Sequence, residues 1–260
     1  MKKNERRHPE LSLPDTEAQR LIRDKTRRSF LVGGIATFGA VGTYEWFTHA
    51  PAPSENDIPW PQRRVLDFNG RLSEAYLDDK HLMATYPPDK VGGVKVNGNF
   101  GMEQPLEPGN WKLQVTIPGR TPVFLSLADL KQLAKTEITT RLSCIEGWSG
   151  VAHWGGARFS EFTRNFFGPG QPVPPYVYMA TPDGEYYVGL DSKSALHPQT
   201  LLAYEQNGKP LEERRGAPLR LAIPVKYGIK NIKRIGLIQY TDKRPSDYWA
   251  DEGYDWFAGL

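Results

Sequence analysis

Residues 111–117 (WKLQVTI) alternate apolar and polar side chains with a period of two and run into Pro118-Gly119, the pattern of a half-buried strand closed by a turn. The same reading predicts strands over residues 139–142, 176–180, 185–190, 219–224 and 232–240. Pro182-Asp183-Gly184 is a turn signal between the second and third of these. Ser126 is placed to cap a short helix running to Leu133, and residues 155–162 read as a turn entering a helix. No internal repeat is visible. Short strands, short helices and irregular connections predict an α+β fold.

Patterning changes character toward the start of the chain. Residues 30–47 form an apolar stretch in which Glu45 is the one charged residue, and follow the adjacent pair Arg27-Arg28. Gly33, Gly34, Gly39 and Gly42 interrupt this run, and each interior glycine costs a soluble helix roughly 1 kcal/mol relative to alanine. An export leader explains the stretch better than a core helix does, and two arginines ahead of an apolar run resemble a twin-arginine signal. Ala50-Pro51-Ala52 is the one small-residue cleavage candidate, and Pro53 disfavours it. The run approaches the ~18 apolar residues needed to cross a bilayer, so an uncleaved signal anchor is the alternative. Residues 51–62 (PAPSENDIPWPQ) read as a linker.

Charge separates leader from body. Nine of the 33 Lys and Arg residues fall within residues 1–28, against five of the 30 acids, which leaves 24 basic and 25 acidic residues elsewhere. A body so near neutrality has no basic stripe of the kind that nucleic-acid binding requires. Twenty-five Gly and 22 Pro agree with a chain of many turns.

The chain has one cysteine, Cys144. It cannot form an internal disulfide, a thiolate cage for zinc or iron–sulfur, or a C-x-x-C-H haem attachment. Inert packing, a nucleophile, or a single thiolate to a metal held mostly by something else remain. His153 is the partner a thiol enzyme would want. Residues 141–154 (RLSCIEGWSGVAHW) resemble the cysteine motif of the sulfite oxidase superfamily of molybdenum enzymes. Three further segments resemble that family in the expected order: Asn207-Gly208-Lys209-Pro210-Leu211, residues 215–233 (RGAPLRLAIPVKYGIKNIK), and the closing Trp249, Gly253-Tyr254 and Ala258-Gly259-Leu260. The resemblance covers roughly residues 90–260 and implies a molybdopterin-binding catalytic domain there. Ahead of it lie a flank over 1–26, the leader over 27–50, and a linker and extension over 51–89.

The resemblance implies molybdenum and molybdopterin as cofactors, with Cys144 as the metal ligand and catalytic centre. It implies cofactor contacts at Arg220, Asn231, Ile232 and Lys233, and further ones at Thr181 and at Asn97 or Asn99. Arg215 stands where the family usually has His or Asn, and is expected as a cofactor contact because a guanidinium suits phosphate. Lys226 and Lys230 are additional cations that solvated surface positions would equally explain. Arg220, between Leu219 and Leu221, would be costly to bury without a partner.

Ile145-Glu146-Gly147-Trp148 follows the cysteine in place of the arginine-bearing run of sulfite oxidases. The chain is thereby similar to the branch containing periplasmic protein-methionine-sulfoxide reductases. That implies an exported oxidoreductase reducing a small or protein-bound S-oxide, with a membrane haem partner for electrons and the twin-arginine machinery for export. A sulfite-oxidising enzyme and an exported binding protein that has lost its metal are the alternatives.

Overall fold

The structure, a computed structural model, describes residues 15–50, 59–96, 98–103, 106 and 109–260. Asn97 lies outside the described residues. Two helices come first, α1 (Asp15–His49) and α2 (Trp60–Tyr76). Ten strands follow: β1 (Leu113–Thr116), β2 (Val123–Leu125), β3 (Lys135–Ser143), β4 (Ser149–Arg158), β5 (Tyr176–Ala180), β6 (Tyr187–Asp191), β7 (Leu201–Gln206), β8 (Lys209–Pro210), β9 (Arg220–Ala222) and β10 (Leu237–Thr241). Four short helices sit between them, α3 (Leu127–Leu130), α4 (Phe159–Arg164), α5 (Ser192–Ala195) and α6 (Tyr248–Asp251).

The strands form two sheets. One has the order β2-β1-β10-β5-β6, with β1 and β10 parallel and its other pairs antiparallel. The second is antiparallel in the order β3-β4-β7-β8, with β9 also paired to β7. This is the expected α+β architecture. Period-two patterning does what it predicts in β1 and β5, where Leu113, Val115, Val177 and Met179 are buried while Gln114, Thr116, Tyr176 and Tyr178 are partly exposed. These residues join Val188, Leu190, Ile238, Tyr240, Phe159 and Phe162 in the main core. Ser126 caps α3 through a capping box with Asp129, whose carboxylate accepts from the Ser126 backbone N–H at 2.7 Å.

Several elements depart from the sequence pattern. Residues 155–157 are no turn but the inner end of β4, which runs ten residues to Arg158. Gly156 permits close strand approach there, since a Cβ on it would lie 2.1 Å from the Leu202 carbonyl oxygen. Residues 232–236 are irregular, and the strand expected over 232–240 begins only at Leu237, because Arg234 adopts a left-handed φ of 52°. Residues 60–76, read as linker and extension, form a helix with Pro61 in its first turn. Helix α1 runs through both the flank and the glycine-bearing apolar run. Among the described residues no helix is long and apolar enough to cross a membrane.

Candidate active site

Cys144 sits at the tip of the β3–β4 hairpin. The ladder's last pair is Ser143↔Ser149, and residues 144–148 form the loop. That loop closes on itself: the Cys144 N–H donates to the Trp148 carbonyl at 2.9 Å, and the Gly147 N–H to the Cys144 carbonyl at 3.1 Å. Gly147 has φ +85°, a conformation glycine takes without a Cβ clash. Residues 92–96 run beside the hairpin, bridged by reciprocal backbone bonds between Gly92 and Val151. Gly228 closes the other side, where an added Cβ would lie 3.9 Å from the Cys144 Cβ.

A cleft of about 280 Å³ opens over this loop. Near Cys144 it is lined by Ile145, Glu146 and Trp148. The Trp148 indole N–H donates to the Glu146 carboxylate at 2.9 Å, and the Lys95 ammonium lies 6.0 Å from the indole centroid. The cleft also takes in Arg214, Arg215, Arg220 and Lys233. Arg220 is buried and donates to the carbonyls of Arg215 at 3.0 Å and Asn231 at 3.3 Å, with its guanidinium 4.7 Å from the Trp154 ring centroid. Its Nε is buried with no hydrogen-bond partner among the described residues. Burial, then the charge of Arg215, pulls this guanidinium down to about 10. Lys233 donates to the Gly98 carbonyl at 2.8 Å. Burial first, then Arg220, Arg215 and Arg214, lowers its ammonium to about 8. These cations share one cleft, and an anion between them would favour their charged forms.

The remaining expected residues distribute differently. Asn231 lines the cleft, but its side chain braces the 223–231 loop, accepting from the Ile223 N–H at 2.9 Å and donating to the Tyr227 carbonyl at 3.2 Å. Ile232 is buried in the main core, and its carbonyl accepts from the Leu221 N–H. Thr181 does not line the cleft. Its hydroxyl donates to Asp183 at 2.6 Å inside its own turn, and it lies directly beneath Gly101.

Lys226 and Lys230 are neither solvated nor in the cleft. Lys226 is paired with Asp191 at 3.3 Å and Lys230 with Asp247 at 2.5 Å, both fully buried. Burial lowers both ammonium groups against the opposing pull of their carboxylates. His153 pairs with Thr139, four ladder positions from Ser143↔Ser149, hence about 14 Å along the strand. Its Nδ1 lies 2.8 Å from the Thr139 hydroxyl, so a Cys144–His153 dyad is excluded.

Sequence reasoning did not single out Tyr186, Arg214 and Phe100, and treated Trp249 and Tyr254 only as part of a closing pattern; all five line the cleft. Tyr186 donates to the Ile229 carbonyl at 2.5 Å, and burial followed by the charge of Asp247 pushes its phenol well above its usual range. Trp249 and Tyr254 rings stand edge to face at 5.2 Å. A tyrosine following a strong turn signal was the available clue for Tyr186.

These residues fit a metal–pterin group. Cys144 offers one soft donor, and among the described residues no cluster of three or more His, Cys, Asp or Glu side chains could hold a metal ion. Other ligands would come from the cofactor itself. The convergent cations and the orphaned Arg220 Nε suit a phosphate.

Such a cleft, on this fold, defines a molybdopterin-dependent oxidoreductase. The chain belongs to the oxidoreductase molybdopterin-binding domain family, whose pattern it matches over residues 100–249. It is similar to the provisionally named protein-methionine-sulfoxide reductase subunit YedZ1 of Azospira oryzae, with 32% identity covering 90% of this chain and 87% of that protein. It is similar also to the protein-methionine-sulfoxide reductase catalytic subunit MsrP of Xanthomonas axonopodis pv. citri, with 30% identity over 93% and 78% of the two chains. Among solved structures, the sulfane dehydrogenase SoxCD from Paracoccus pantotrophus aligns with 64% of this chain and 46% of its own, at TM-score 0.49 and 17% identity.

Proposed function

We propose that this protein is an exported catalytic subunit that reduces an S-oxide, a sulfoxide such as that of methionine, with electrons received from a haem protein of the membrane. The observation that carries the reading is the make-up of the cleft near Cys144. An aromatic wall and a carboxylate stand beside the sulfur, while Arg214, Arg215, Arg220 and Lys233 form a cationic group for the cofactor's phosphate. When bound, the molybdenum–molybdopterin group supplies oxygen-atom transfer coupled to two-electron chemistry. Reduction of R₂S=O to R₂S and water then consumes two electrons and two protons.

The chain's own residues do the rest. Cys144 holds the metal through its sulfur. Trp148, fixed by Glu146, offers an apolar face to the organic groups of a neutral substrate. Tyr186 donates its phenolic O–H to the Ile229 carbonyl and so fixes the turn at Gly228–Lys230 beside Cys144. Lys233, Arg215 and Arg220 hold the phosphate; the resemblance suggests pterin and phosphate contacts from Asn231 and Ile232, and a pterin contact from Asn97. Arg27-Arg28 and the apolar run of α1 support export through the twin-arginine route, which delivers an already folded, cofactor-loaded protein to the periplasm.

The cationic group also favours a second reading, oxidation of anionic sulfite. Steady-state assays separate the two. Loaded enzyme given a reduced dye and sulfoxides should show a higher kcat/KM than with sulfite and an oxidised dye, and the reverse ranking overturns the proposal. Cys144→Ser should lose molybdenum and more than about a hundredfold in turnover, because a hydroxyl is a poor soft ligand. Metal analysis checks the first effect and the dye assay the second.

A further inference from the structure

Helix α2 carries apolar side chains on the side turned away from the protein. Gly70 and Leu77, seven positions apart, are buried against the body, where a Cβ on Gly70 would lie 2.9 Å from Asp255 and 3.6 Å from the Phe257 Cβ. Val65, Phe68, Leu72 and Tyr76 recur at spacings of three and four and so share a face. They are 50%, 57%, 59% and 63% exposed; Tyr76 meets the His81 ring at 4.3 Å, and most of the face stays open among the described residues. Arg64 and Arg71, both exposed, stand four before and three after Phe68 along one border of the stripe. Asn69 and Ser73 form the other border. The helix acids, Asp67 and Glu74, line a small cavity against the body with Gly70 and Asp255, and Arg71 lies between that cavity and the stripe. Trp60 begins the helix and Tyr76 ends it.

We infer that the outward face of α2 seats on an anionic phospholipid surface. An apolar stripe edged by arginine and bounded by aromatic residues is the arrangement of a helix lying in the plane of a bilayer interface. A second copy of the chain fits less well. The stripe measures about 17 Å by about 10 Å, well below the ~800 Å² per partner of a stable protein interface. A lipid surface needs no such area, because the exposed apolar residues of α1, including Phe30, Ile35 and Phe38, lie just upstream and add a linked contact on the same chain. The seat also has a use. Helix α2 is fixed to Asp255–Phe257, and Tyr254 next to them lines the cleft. Seating α2 therefore sets the cleft's position relative to a membrane-borne electron partner.

Hydrogen–deuterium exchange and vesicle flotation on the full, cofactor-loaded chain test this. Exchange in peptides spanning residues 60–76 should slow with vesicles of phosphatidylglycerol and phosphatidylethanolamine and not with phosphatidylcholine alone. Phe68→Asp with Leu72→Asp should abolish that slowing and weaken flotation about tenfold, while slowing within residues 30–46 persists. Both substitutions fall on exposed positions, and unchanged circular dichroism and dye-linked turnover verify the fold. Arg64→Glu with Arg71→Glu should remove the preference for anionic lipid. Unchanged exchange at 60–76 in every vesicle, slowing that survives the aspartates, or equal slowing in phosphatidylcholine overturns the inference. So does slowing that depends on protein concentration without vesicles, which would assign the face to a second copy. Dye-linked sulfoxide turnover on the same samples reports separately on the catalytic reading.

Discussion

Glu146 shows how exposure sets the size of an electrostatic effect. If it were buried beside the substrate position, it would repel an anion at 4 Å by roughly 4 kcal/mol. It is exposed and hydrogen-bonded to the Trp148 indole, so water screens it and the repulsion falls to about 1 kcal/mol, about fivefold in affinity. Glu146→Gln should accordingly raise kcat/KM for sulfite relative to a sulfoxide by about fivefold, read in paired dye assays. Lys233 provides a pH test. Its folded-state ammonium is lowered to about 8 from an ordinary 10.5, so between those values the unfolded chain binds more protons. Stability of cofactor-free protein should rise with pH across that window and fall back as pH drops through 8. Lys233→Met should flatten this rise in urea melts, and bound cofactor should flatten it too, because a phosphate raises the ammonium again. Reading the residues alone could reach Cys144 through its singularity and Arg220 through its apolar neighbours. It could not reach Tyr186 or Arg214, whose roles depend on where the chain turns.

At the scale of elements, the β3–β4 hairpin shows the limits of local patterning. Gly155-Gly156 looks like a turn because glycine pairs usually supply one. The glycines serve instead the approach of β7, with a register shift between them. Gly156→Ala would set a methyl against the Leu202 carbonyl and the Ala203 Cα, neither of which can rotate away. It should cost roughly 1–3 kcal/mol, seen as a lower urea midpoint at unchanged slope. The strands at 113–116 and 176–180 were legible because one face of each is buried and the other is not. Strand β7 was missed because five of its six residues are buried, which leaves no alternation to detect. Helix α2 was missed because its start lies among prolines that read as linker.

On the scale of the whole molecule, the cleft gathers segments from residues 94–96, 98–100, 142–148, 186, 214–233 and 249–254. No local signal announces that convergence; the ordered motifs did, through family resemblance. The leader makes a separate prediction. Arg27→Lys with Arg28→Lys should leave the protein in the cytoplasm, folded and loaded with molybdenum, since neither arginine belongs to the cleft. Cell fractionation and metal analysis check the two parts, and undiminished periplasmic protein would refute the twin-arginine assignment.

Lys226 and Lys230 flank Tyr227-Gly228, the turn that lies against Cys144. Each is riveted inside the protein, one to Asp191 and the Phe257 carbonyl, the other to Asp247 and the Gly189 carbonyl. Lifting the turn would strip two buried charges of their partners, at about 3–5 kcal/mol for each pair broken. The wall beside the sulfur is therefore a finished mould before any guest arrives. Loading becomes a matter of access: the pterin has to come in by the cleft's open mouth, because the wall beside the sulfur does not give way to admit it.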